Sequence, residues 1–463
     1  MLSEIYSYLD RTILYPLFYW KNNDPRMQRL TELEKNQYLP TQQLRQLQLK
    51  RLQTLIDHAF TTVPYYRDHM KKSGVVPQDI KSLKDIARLP VLSKNDILQH
   101  KDQLISSSFS LESLLADASG GSTGITTHYY RDRRQHMYRS ADQVRHDRWS
   151  GWNIGDPYAL IWGASKDLAG MASLKQSLVR QWIHRCYPLD AFELTDESME
   201  NFEKTMRRIR PKMVLGYANA LVQFSEYMIQ AKKPSIPSIQ GVISSAESLT
   251  QAKREIIQTA FQCPVLNRYG SREVGLVASE CSHGEGLHIN ADNVLVEILH
   301  QTDQGFEPVA EGEEGEIVVT DLWNYGMPFI RYRMGDIGRF KKGTCSCGRT
   351  LPLLAEVKGR TSDFFKDHHG KKIHGEYFTH WFYEDDRVYQ FQLIQESLMY
   401  VVLKLVLHEK FRNVENIKQP ITQHYTEHLH NTLGKSIHID VEFLDYIPPS
   451  PSGKFLFTIS KVS

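Results

Sequence analysis

Apolar residues recur at helical spacing through the first part of the chain. Between residues 27 and 107, leucines three and four positions apart are interspersed with charged residues, which is the pattern of amphipathic helices. Pro40 and Pro64 interrupt this pattern, because proline lacks the backbone N–H that a helix interior requires. The sequence therefore predicts a mainly helical N-terminal part, residues 1–107, built from several helices.

The pattern changes after residue 111, where short apolar runs alternate with helical segments. The clearest runs are YALIWG (158–163), KMVLGY (212–217), QGVISSAE (240–247) and CPVLNRYG (263–270). Alternation of strands and helices predicts an α/β body with a parallel sheet. Between residues 287 and 341, further apolar runs separated by turn residues predict additional strands.

The last hundred residues have a pattern of their own. From residue 364 onward, the runs VYQFQLIQ, MYVVLKLVL and IHIDVEFL are typical of strands, and they surround a helical segment near 413–433. A unit of about 100 residues with its own strands and helix is large enough to be a domain. We therefore predict two domains, a large one at 1–359 and a small α+β one at 360–463.

The most apolar stretch is the N-terminal segment MLSEIYSYLDRTILYPLFYW. Glu4, Asp10 and Arg11 interrupt it, and a bilayer span needs about 20 apolar residues. No transmembrane segment is expected. The segment is predicted to be an amphipathic helix packed on the body, with peripheral membrane contact as the alternative.

The composition excludes several classes of protein. The chain has 56 lysines and arginines against 54 acidic residues, a net charge of +2, so no strong field attracts nucleic acid. Hydrophobic residues make up 41% of the chain, which is enough for a packed core and excludes a disordered chain. Five cysteines are too few for a disulfide framework and favour a reducing, cytoplasmic location.

A loop rich in glycine, serine and threonine spans Ser119 to Thr127. Its glycines can adopt positive φ, so that several backbone N–H groups converge on one anion, and its hydroxyls add further donors. No Gly-Lys-Ser/Thr follows, so it is not a Walker loop. Taken alone, the loop fits phosphate binding and a flexible linker equally well.

Two further motifs fit a nucleotide site. In Asn267–Glu273, an aromatic residue at a strand end could stack on a base, and Glu273 could bind Mg²⁺ beside phosphates. In Arg331–Asp336, the carboxylate of Asp336 could accept both hydroxyls of a ribose. The alternative for each motif is an ordinary turn with exposed charges.

The remaining motifs lie at the borders of the C-terminal unit. They are Gly359-Arg360-Thr361-Ser362-Asp363 and Pro449-Ser450-Pro451-Ser452-Gly453-Lys454. In this order, the set of motifs resembles that of the acyl-adenylate-forming superfamily, and it is most similar to the phenylacetate–CoA ligase family and its CapK-like branch of capsular polysaccharide biosynthesis. VPYYRDHM, LPVLSKNDI and GLHINADNVLVEI also resemble that branch, so the resemblance covers nearly the whole chain.

The resemblance implies an α/β fold with a large adenylate-forming body, a helical N-terminus and parallel sheets, plus a small, mobile α+β C-terminal domain. It implies that Tyr269 stacks on adenine, Glu273 binds Mg²⁺, Asp336 binds the ribose and Lys454 drives adenylation. Arg360 is implied near the ribose and phosphate, and Ser362 at the hinge. The other residues implied at ATP or AMP are Ser119, Gly120, Gly121, Ser122, Thr123, Gly124, Glu247, Gly270 and Ser271.

The activity implied by the resemblance has two steps. A carboxylate attacks the α-phosphorus of ATP and expels pyrophosphate, and a thiol or other nucleophile then attacks the acyl-adenylate and expels AMP. This describes an AMP-forming acid–thiol ligase that uses ATP, Mg²⁺ and CoA or a carrier-type acceptor. The alternative is a CapK-like protein that binds an adenylate without turnover in polysaccharide or secondary-metabolite assembly.

The acid itself is not identified by the sequence. Trp162, Tyr217 and Ala246 stand at or just beyond strand-like runs and are candidates for the acyl pocket, although ordinary packing beside the site explains them equally well. A small carboxylic acid is the expected substrate. No nucleic acid is expected as a partner, and a homodimer is left open.

Cys345 and Cys347 form a tight pair of soft ligands, and Cys281, His283 and His288 lie in a second segment. Three thiolates and one imidazole make a closed tetrahedral Zn²⁺ site, which is structural because no coordination position is left open. Some relatives resemble this arrangement. We prefer His288 to His283 as the fourth ligand, because it opens a strand and would be held more rigidly.

A cluster of arginines lies between residues 131 and 148. One interpretation is a solvated helix face, and the other is a contact with the phosphates of a CoA-like acceptor. The sequence leaves both open. The members are Arg131, Arg133, Arg134, Arg139, Arg145 and Arg148.

Overall fold

The computed structural model describes the chain except for residues 1, 121–125, 163–178, 192–193, 304, 361–363, 371, 384, 386, 413, 415, 449–455 and 463. The chain divides into two compact units. The larger unit comprises Met1–Ser119, Thr127–Met334 and Gly338–Val357. The smaller unit comprises Gly120–Thr126, Gly335–Ile337 and Lys358–Ser463.

The first hundred residues of the larger unit form a series of helices. Pro64 is the first residue of one of them, a position where its missing N–H has no intrahelical partner to lose. A π-helical turn, Asp10–Leu14, joins the first two helices. The α-helices described in this unit are Leu2–Leu9, Tyr15–Lys21, Arg26–Asn36, Thr41–Thr62, Pro64–Lys72, Lys94–His100, Arg133–Arg148, Asp196–Ile209, Ala218–Gln230 and Gln251–Phe261.

A twelve-stranded sheet forms the centre of the larger unit, beside a two-stranded sheet of β1 (Leu115–Gly120) and β2 (Thr126–Arg131). The order of the large sheet is β11-β10-β12-β13-β14-β9-β8-β7-β6-β5-β3-β4. Its strands are β3 (Tyr158–Ile161), β4 (Cys186–Leu189), β5 (Met213–Tyr217), β6 (Gly241–Ser245), β7 (Val265–Ser271), β8 (Gly275–Glu280), β9 (Leu287–Ile289), β10 (Val294–Thr302), β11 (Gly305–Pro308), β12 (Gly315–Asp321), β13 (Tyr332–Lys341) and β14 (Leu353–Arg360).

The sheet is parallel in one half only. The strands β4, β3, β5, β6 and β7 pair in parallel, and the four apolar runs predicted as parallel strands are β3, β5, β6 and β7. The pairs β7–β8, β8–β9, β9–β14, β10–β12 and β10–β11 are antiparallel. The sheet therefore joins an α/β half to an antiparallel half.

The parallel strands are covered on both faces, which explains why they are continuously apolar. Val214, Val242 and Val265 lie opposite one another in register and belong to one hydrophobic cluster. Leu215, Ile243 and Leu266 are the next residues along these strands and belong to another cluster. Side chains alternate between the faces of a sheet, so one strand contributes to two cores.

The smaller unit has its own hydrophobic core, in which Leu393, Leu403 and Tyr425 are fully buried. Its four-stranded sheet has the order β19-β18-β17-β20, with β17 and β18 antiparallel and the outer pairs parallel. A second sheet pairs β15 with β16. The elements are β15 (Phe364–Lys366), β16 (Lys372–His374), β17 (Val388–Ser397), β18 (Tyr400–Leu407), β19 (His438–Phe443), β20 (Thr458–Ser460) and the helices Gly375–Tyr383, Glu409–Arg412 and Lys418–Leu433.

The arginine cluster on the helix Arg133–Arg148 does not form a uniform solvated face. The side chain of Arg145 is completely buried and pairs with Asp292 at 2.9 Å. Burial acts to raise the pKa of Asp292, but Arg145 and Arg29 outweigh it and lower that pKa. This buried ion pair holds the helix to the turn before β10.

Among the described residues, no helix is both long enough and apolar enough to cross a bilayer.

Candidate active site

The predicted acyl-pocket residues follow neighbouring parallel strands of the large sheet. Trp162 comes directly after β3, Tyr217 ends β5, and Ala246 comes directly after β6. The carboxyl ends of parallel strands meet at one edge of a sheet, which is where ligands bind in open α/β folds. The rings of Trp162 and Tyr217 are in contact there, with centroids 4.2 Å apart.

The turn after β6 places Glu247 at the same edge. Ala246 has a positive φ of 69°, a left-handed conformation that is uncommon for residues other than glycine. Glu247 accepts a hydrogen bond through Oε2 from the backbone N–H of Asn219, at 2.7 Å. Asn219 lies in the first turn of the helix that follows β5, so this bond ties the ends of β5 and β6 together.

The β7–β8 hairpin carries the predicted nucleotide residues Tyr269, Gly270, Ser271 and Glu273. Tyr269 is half-buried and lies opposite Ala278 of β8. A Cβ atom on Gly270 would lie 2.3 Å from the carbonyl oxygen of Gly275, so this position excludes any side chain. The backbone of the hairpin can approach so closely only with glycine there.

Glu273 is buried at the turn of this hairpin. Its Oε1 accepts a hydrogen bond from the hydroxyl of Tyr332, with the two oxygens 3.3 Å apart. Tyr332 is itself buried at the start of β13. The carboxylate therefore has a fixed orientation.

Arg139 holds the backbone of the same hairpin turn. Its Nη1 donates to the carbonyl oxygen of Arg272 at 2.8 Å, and its Nη2 donates to that of Ser271 at 3.4 Å. The sequence analysis missed this role, because Arg139 was one of six arginines with no feature that distinguished it. Its Nε would lie 2.7 Å from a Cβ on Gly275, so a glycine is required where the two residues meet.

A buried ion pair between Arg268 and Asp147 links β7 to the helix Arg133–Arg148, on the face of β7 opposite to Tyr269. Arg268 donates through Nη2 to Oδ1 of Asp147, and both side chains are buried. Burial raises the pKa of Asp147, although Arg268 opposes this effect. The adjacent His146 is completely buried, which keeps the pKa of its imidazole well below the usual value. Its ring packs on Trp149 at a centroid distance of 4.1 Å.

The other predicted nucleotide residues belong to other elements of the chain. Asp336 is half-buried within β13, directly after Gly335, which has a positive φ of 74°. Ser119 and Gly120 end β1, and Arg360 ends β14. Gly121, Ser122, Thr123, Gly124, Ser362 and Lys454 lie outside the described residues.

Cys281, His288, Cys345 and Cys347 come together, with one ligand atom of each within 4.8 Å of the other three. The Sγ atoms of Cys281 and Cys345 are 3.7 Å apart, and Sγ of Cys347 is 3.5 Å from Nε2 of His288. Within the described parts of the chain, this is the one cluster of three or more potential metal ligands. His283 is outside it, with Nδ1 4.0 Å from Sγ of Cys281.

The loops that carry these four residues are held by further contacts. Glu285 accepts hydrogen bonds from the backbone N–H and the hydroxyl of Ser346, at 3.0 and 2.6 Å. Trp149 packs edge-on against the ring of His288, and the guanidinium of Arg349 lies over the ring of Trp149. The four ligand atoms are therefore set in a rigid frame that joins β8, β9 and the loop before β14.

Burial shifts the pKa of two members of the cluster, His288 and Cys345. It lowers the pKa of His288 to about 4 and raises that of Cys345 to about 12. A neutral imidazole is the form that binds a metal ion, and a thiol in such surroundings loses its proton on metal binding.

Comparison with solved structures identifies the class of fold. A structure of 2-hydroxyisobutyryl-CoA ligase in the postadenylation state matches with a TM-score of 0.72 and 17% identity, over 92% of each chain. The chain has the fold of the adenylate-forming ligases, with a separate C-terminal domain. The predicted fold class is confirmed.

Sequence comparison shows which proteins of this fold the chain is similar to. Residues 365–461 match the CapK C-terminal domain. The chain is 27% identical to phenylacetate-coenzyme A ligase of Thermus thermophilus over 337 residues, 70% of this chain and 72% of that one. It is 22% identical to Protein CapK of Staphylococcus aureus over 435 residues, 90% of this chain and 89% of that one. The predicted resemblance to phenylacetate–CoA ligases and to the CapK branch is confirmed.

Proposed function

We propose that this chain is an AMP-forming ligase that activates a carboxylic acid as an acyl-adenylate and transfers the acyl group to CoA. The observation that carries the proposal is the group of residues at the carboxyl edge of β3, β5, β6 and β7. This group includes the aromatic pair Trp162–Tyr217, the buried carboxylate of Glu273 and the tight β7–β8 hairpin. The chain has the fold of adenylate-forming ligases, and four phenylacetate-coenzyme A ligases are among its relatives.

In the first step, an oxygen of the substrate carboxylate attacks the α-phosphorus of ATP, and pyrophosphate leaves. Tyr269 would stack on the adenine, Asp336 would accept hydrogen bonds from the ribose hydroxyls, and the loop from Ser119 to Gly124 would bind the phosphates. Glu247, Gly270 and Ser271 would complete the nucleotide site. Positioning and charge stabilisation are sufficient for this reaction, so no covalent enzyme intermediate is needed.

Glu273 is the proposed ligand of Mg²⁺. The residue fits this role because it offers a carboxylate oxygen, which is the ligand type that Mg²⁺ takes, and because Tyr332 fixes its orientation. Mg²⁺ bound there would neutralise phosphate charge. Arg139 would act on Glu273 only indirectly, by holding the carbonyl groups of Ser271 and Arg272.

The acyl pocket is proposed to lie against Trp162, Tyr217 and Ala246. The two aromatic rings are in contact, and Tyr217 is almost fully buried. Such an aromatic surface is largely apolar, and it suits a small acid with an apolar or aromatic body.

The C-terminal unit is proposed to act as a mobile lid, with the domain boundary between residues 359 and 360 and the hinge at Ser362. Arg360 and Lys454 would then belong to the adenylation arrangement. Lys454 would stabilise charge at the α-phosphate as pyrophosphate leaves, a role that one preorganised cation can fill.

In the second step, the thiol sulfur of CoA attacks the carbonyl carbon of the acyl-adenylate. A thioester forms, the thiol proton is lost, and AMP leaves.

A second candidate function is adenylate binding without turnover in a CapK-like role in polysaccharide assembly. It is favoured by the CapK C-terminal domain match and by the relative that spans 90% of the chain.

We also propose that Cys281, His288, Cys345 and Cys347 bind one structural zinc ion. Two thiolates about 2.3 Å from a tetrahedral zinc ion lie about 3.8 Å apart, and a thiolate and an imidazole nitrogen lie about 3.6 Å apart. The corresponding distances here are 3.7 and 3.5 Å, so the donor set fits the ion. Four protein ligands leave no position for substrate.

A cytoplasmic location agrees with these proposals. None of the five cysteines forms a disulfide, as expected of a protein in a reducing compartment.

A screen of carboxylic acids for pyrophosphate release, run with and without CoA, tests the proposed function. We expect release to depend on the acid, and AMP and an acyl-CoA thioester to accumulate only when CoA is present. Binding of ATP without release of pyrophosphate across a broad panel of acids would favour the second candidate.

A further inference from the structure

The outer side of the N-terminal helical segment carries a row of exposed apolar side chains. This segment consists of the helix Leu2–Leu9, the π-helical turn Asp10–Leu14 and the helix Tyr15–Lys21. Its inner side packs on the larger unit through Tyr15 and Tyr19, which are buried. Its outer side, here called the N-terminal stripe, is between 42% and 76% exposed at Ile5, Tyr8, Leu9, Ile13, Leu17 and Trp20.

Most members of the stripe are four residues apart in the sequence. Ile5, Leu9, Ile13 and Leu17 follow one another at this spacing, and Trp20 continues the row. An α-helix has 3.6 residues per turn, so a four-residue spacing would drift around its surface. The wider π-helical turn at Asp10–Leu14 reduces that drift and keeps the row on one side.

The size of the stripe matches half of a protein–protein interface. Its exposed apolar surface is on the order of 800 Å², whereas the largest apolar patch of a typical monomer is about 300–600 Å². Two copies of the stripe in contact would bury about 1,600 Å², the standard size of a stable interface.

The charges at the ends of the segment specify how two copies would pair. Glu4 precedes the stripe and Lys21 follows it, and both residues are exposed. In an antiparallel pair with its two-fold axis between positions 12 and 13, Glu4 of one copy lies beside Lys21 of the other. The same operation brings Ile5 to Trp20 and Tyr8 to Leu17, while Leu9 meets Pro16 and the two Ile13 residues flank the axis, each opposite Thr12.

We propose that the N-terminal stripe is the interface of a homodimer in which two such segments pack antiparallel around a two-fold axis. The contact is isologous, since the same surface of each copy covers that of the other. Opposite charges close both ends of the interface, and the apolar row between them becomes buried. The proposal does not depend on the proposed ligase activity.

The distribution of charge along the segment disfavours a lipid membrane as the partner of the N-terminal stripe. An interfacial helix presents lysines and arginines around its apolar side to anionic headgroups. Here the polar side packs on the protein, where Ser7 and Asp10 are buried. Arg11 is half-buried, donates to the carbonyl oxygen of Ile154, and lies 3.6 Å from Asp156.

Sedimentation equilibrium of the full-length chain tests the proposal. We expect a dimer at about 50 µM, and we expect Ile13→Arg to raise its dissociation constant at least about 30-fold, because a charge would be buried at the centre of the interface. Leu111→Arg is the matched control, since Leu111 is exposed to a similar extent outside the stripe and should leave the dimer unchanged. Leu17→Lys is the second variant if Ile13→Arg lowers the melting temperature.

Exchanging the terminal charges tests the orientation. Glu4→Lys alone and Lys21→Glu alone should each weaken the dimer several-fold, and the double variant should restore it, as expected of a rim ion pair.

A wild-type chain that is monomeric at about 50 µM would overturn the proposal, as would a dimer that resists Ile13→Arg and Leu17→Lys. A monomer that binds phosphatidylglycerol vesicles through Ile13 would instead identify a lipid surface and would also overturn it.

Discussion

At the scale of single residues, the carboxyl group of Asp10 carries an electrostatic cost. Asp10 is fully buried in the π-helical turn, and neither of its oxygens has a hydrogen-bond partner. Burial raises its pKa to about 6, although Arg185 partly opposes this effect. The folded protein therefore holds a proton on Asp10 at pH values where the unfolded chain has lost it.

This shift predicts how stability depends on pH. The favourable contribution of protonated Asp10 is present below about pH 4 and is lost as the pH rises towards 6, at a cost of about 2–3 kcal/mol. Asp10→Asn should therefore raise the melting temperature at pH 8 and change it little at pH 4. Asp68→Asn, at an exposed site, is the control. An equal effect of Asp10→Asn at both pH values would contradict this assignment.

Individual site residues could be predicted to very different extents. Residues within strand-end motifs, such as Tyr269 and Glu273, could be proposed from the sequence because their type and order are specific. Arg139 could not be identified, because its role depends on backbone carbonyl groups more than 130 positions away. The proximity of Cys281 to Cys345 also depends on the fold, although the tight Cys345–Cys347 spacing indicated a candidate metal-binding segment.

At the scale of elements, the turn of the β7–β8 hairpin depends on Arg139. Arg139→Ala removes two donors to backbone carbonyl groups, each contributing about 0.5–1.5 kcal/mol, and should raise KM for ATP roughly 10-fold with a smaller change in kcat. Arg133→Ala, at an exposed position on the same helix, is the matched control. Arg139→Lys should restore part of the loss. Equal KM values for Arg139→Ala and Arg133→Ala would show that the turn holds without this support.

The cysteine cluster makes a prediction at the same scale. Purified protein should contain about one zinc ion per chain, and Cys345→Ser should lower the melting temperature by at least about 5 °C, because zinc binding contributes to folding free energy. Cys263→Ser is the control, since Cys263 is half-buried outside the cluster. Mg²⁺ dependence should not change in either variant. Metal analysis that finds less than about half an equivalent of zinc would contradict the site.

Elements that are buried on both faces were the most predictable. The strands β3, β5, β6 and β7 stand out as continuous apolar runs, since each contributes to two cores. β4 was missed, because it is a short strand that contains Pro188. Proline is tolerated there because β4 is at the edge of the sheet. The antiparallel half was predicted as strands, but its order in the sheet depends on long-range pairing.

At the scale of the whole molecule, the chain consists of two compact units with different proposed roles. The larger unit supplies the edge where Tyr217, Glu247 and Tyr269 are placed. The smaller unit has an independent core and carries the segment that ends in Lys454. Its proposed role as a lid requires that Lys454 act in adenylation but not in acyl transfer.

The most direct test is acid-dependent exchange of labelled pyrophosphate into ATP by the wild-type chain, Lys454→Ala and Lys461→Ala. Lys461 is the matched control, because it is a lysine of the same unit that pairs with Glu396 on the surface. We expect exchange that requires an acid, an approximately 10²–10³-fold loss in Lys454→Ala, and no loss in Lys461→Ala. Transfer from a supplied acyl-adenylate should remain nearly normal in both variants. Release of ADP and inorganic phosphate, or exchange that Lys454→Ala leaves intact, would contradict the account.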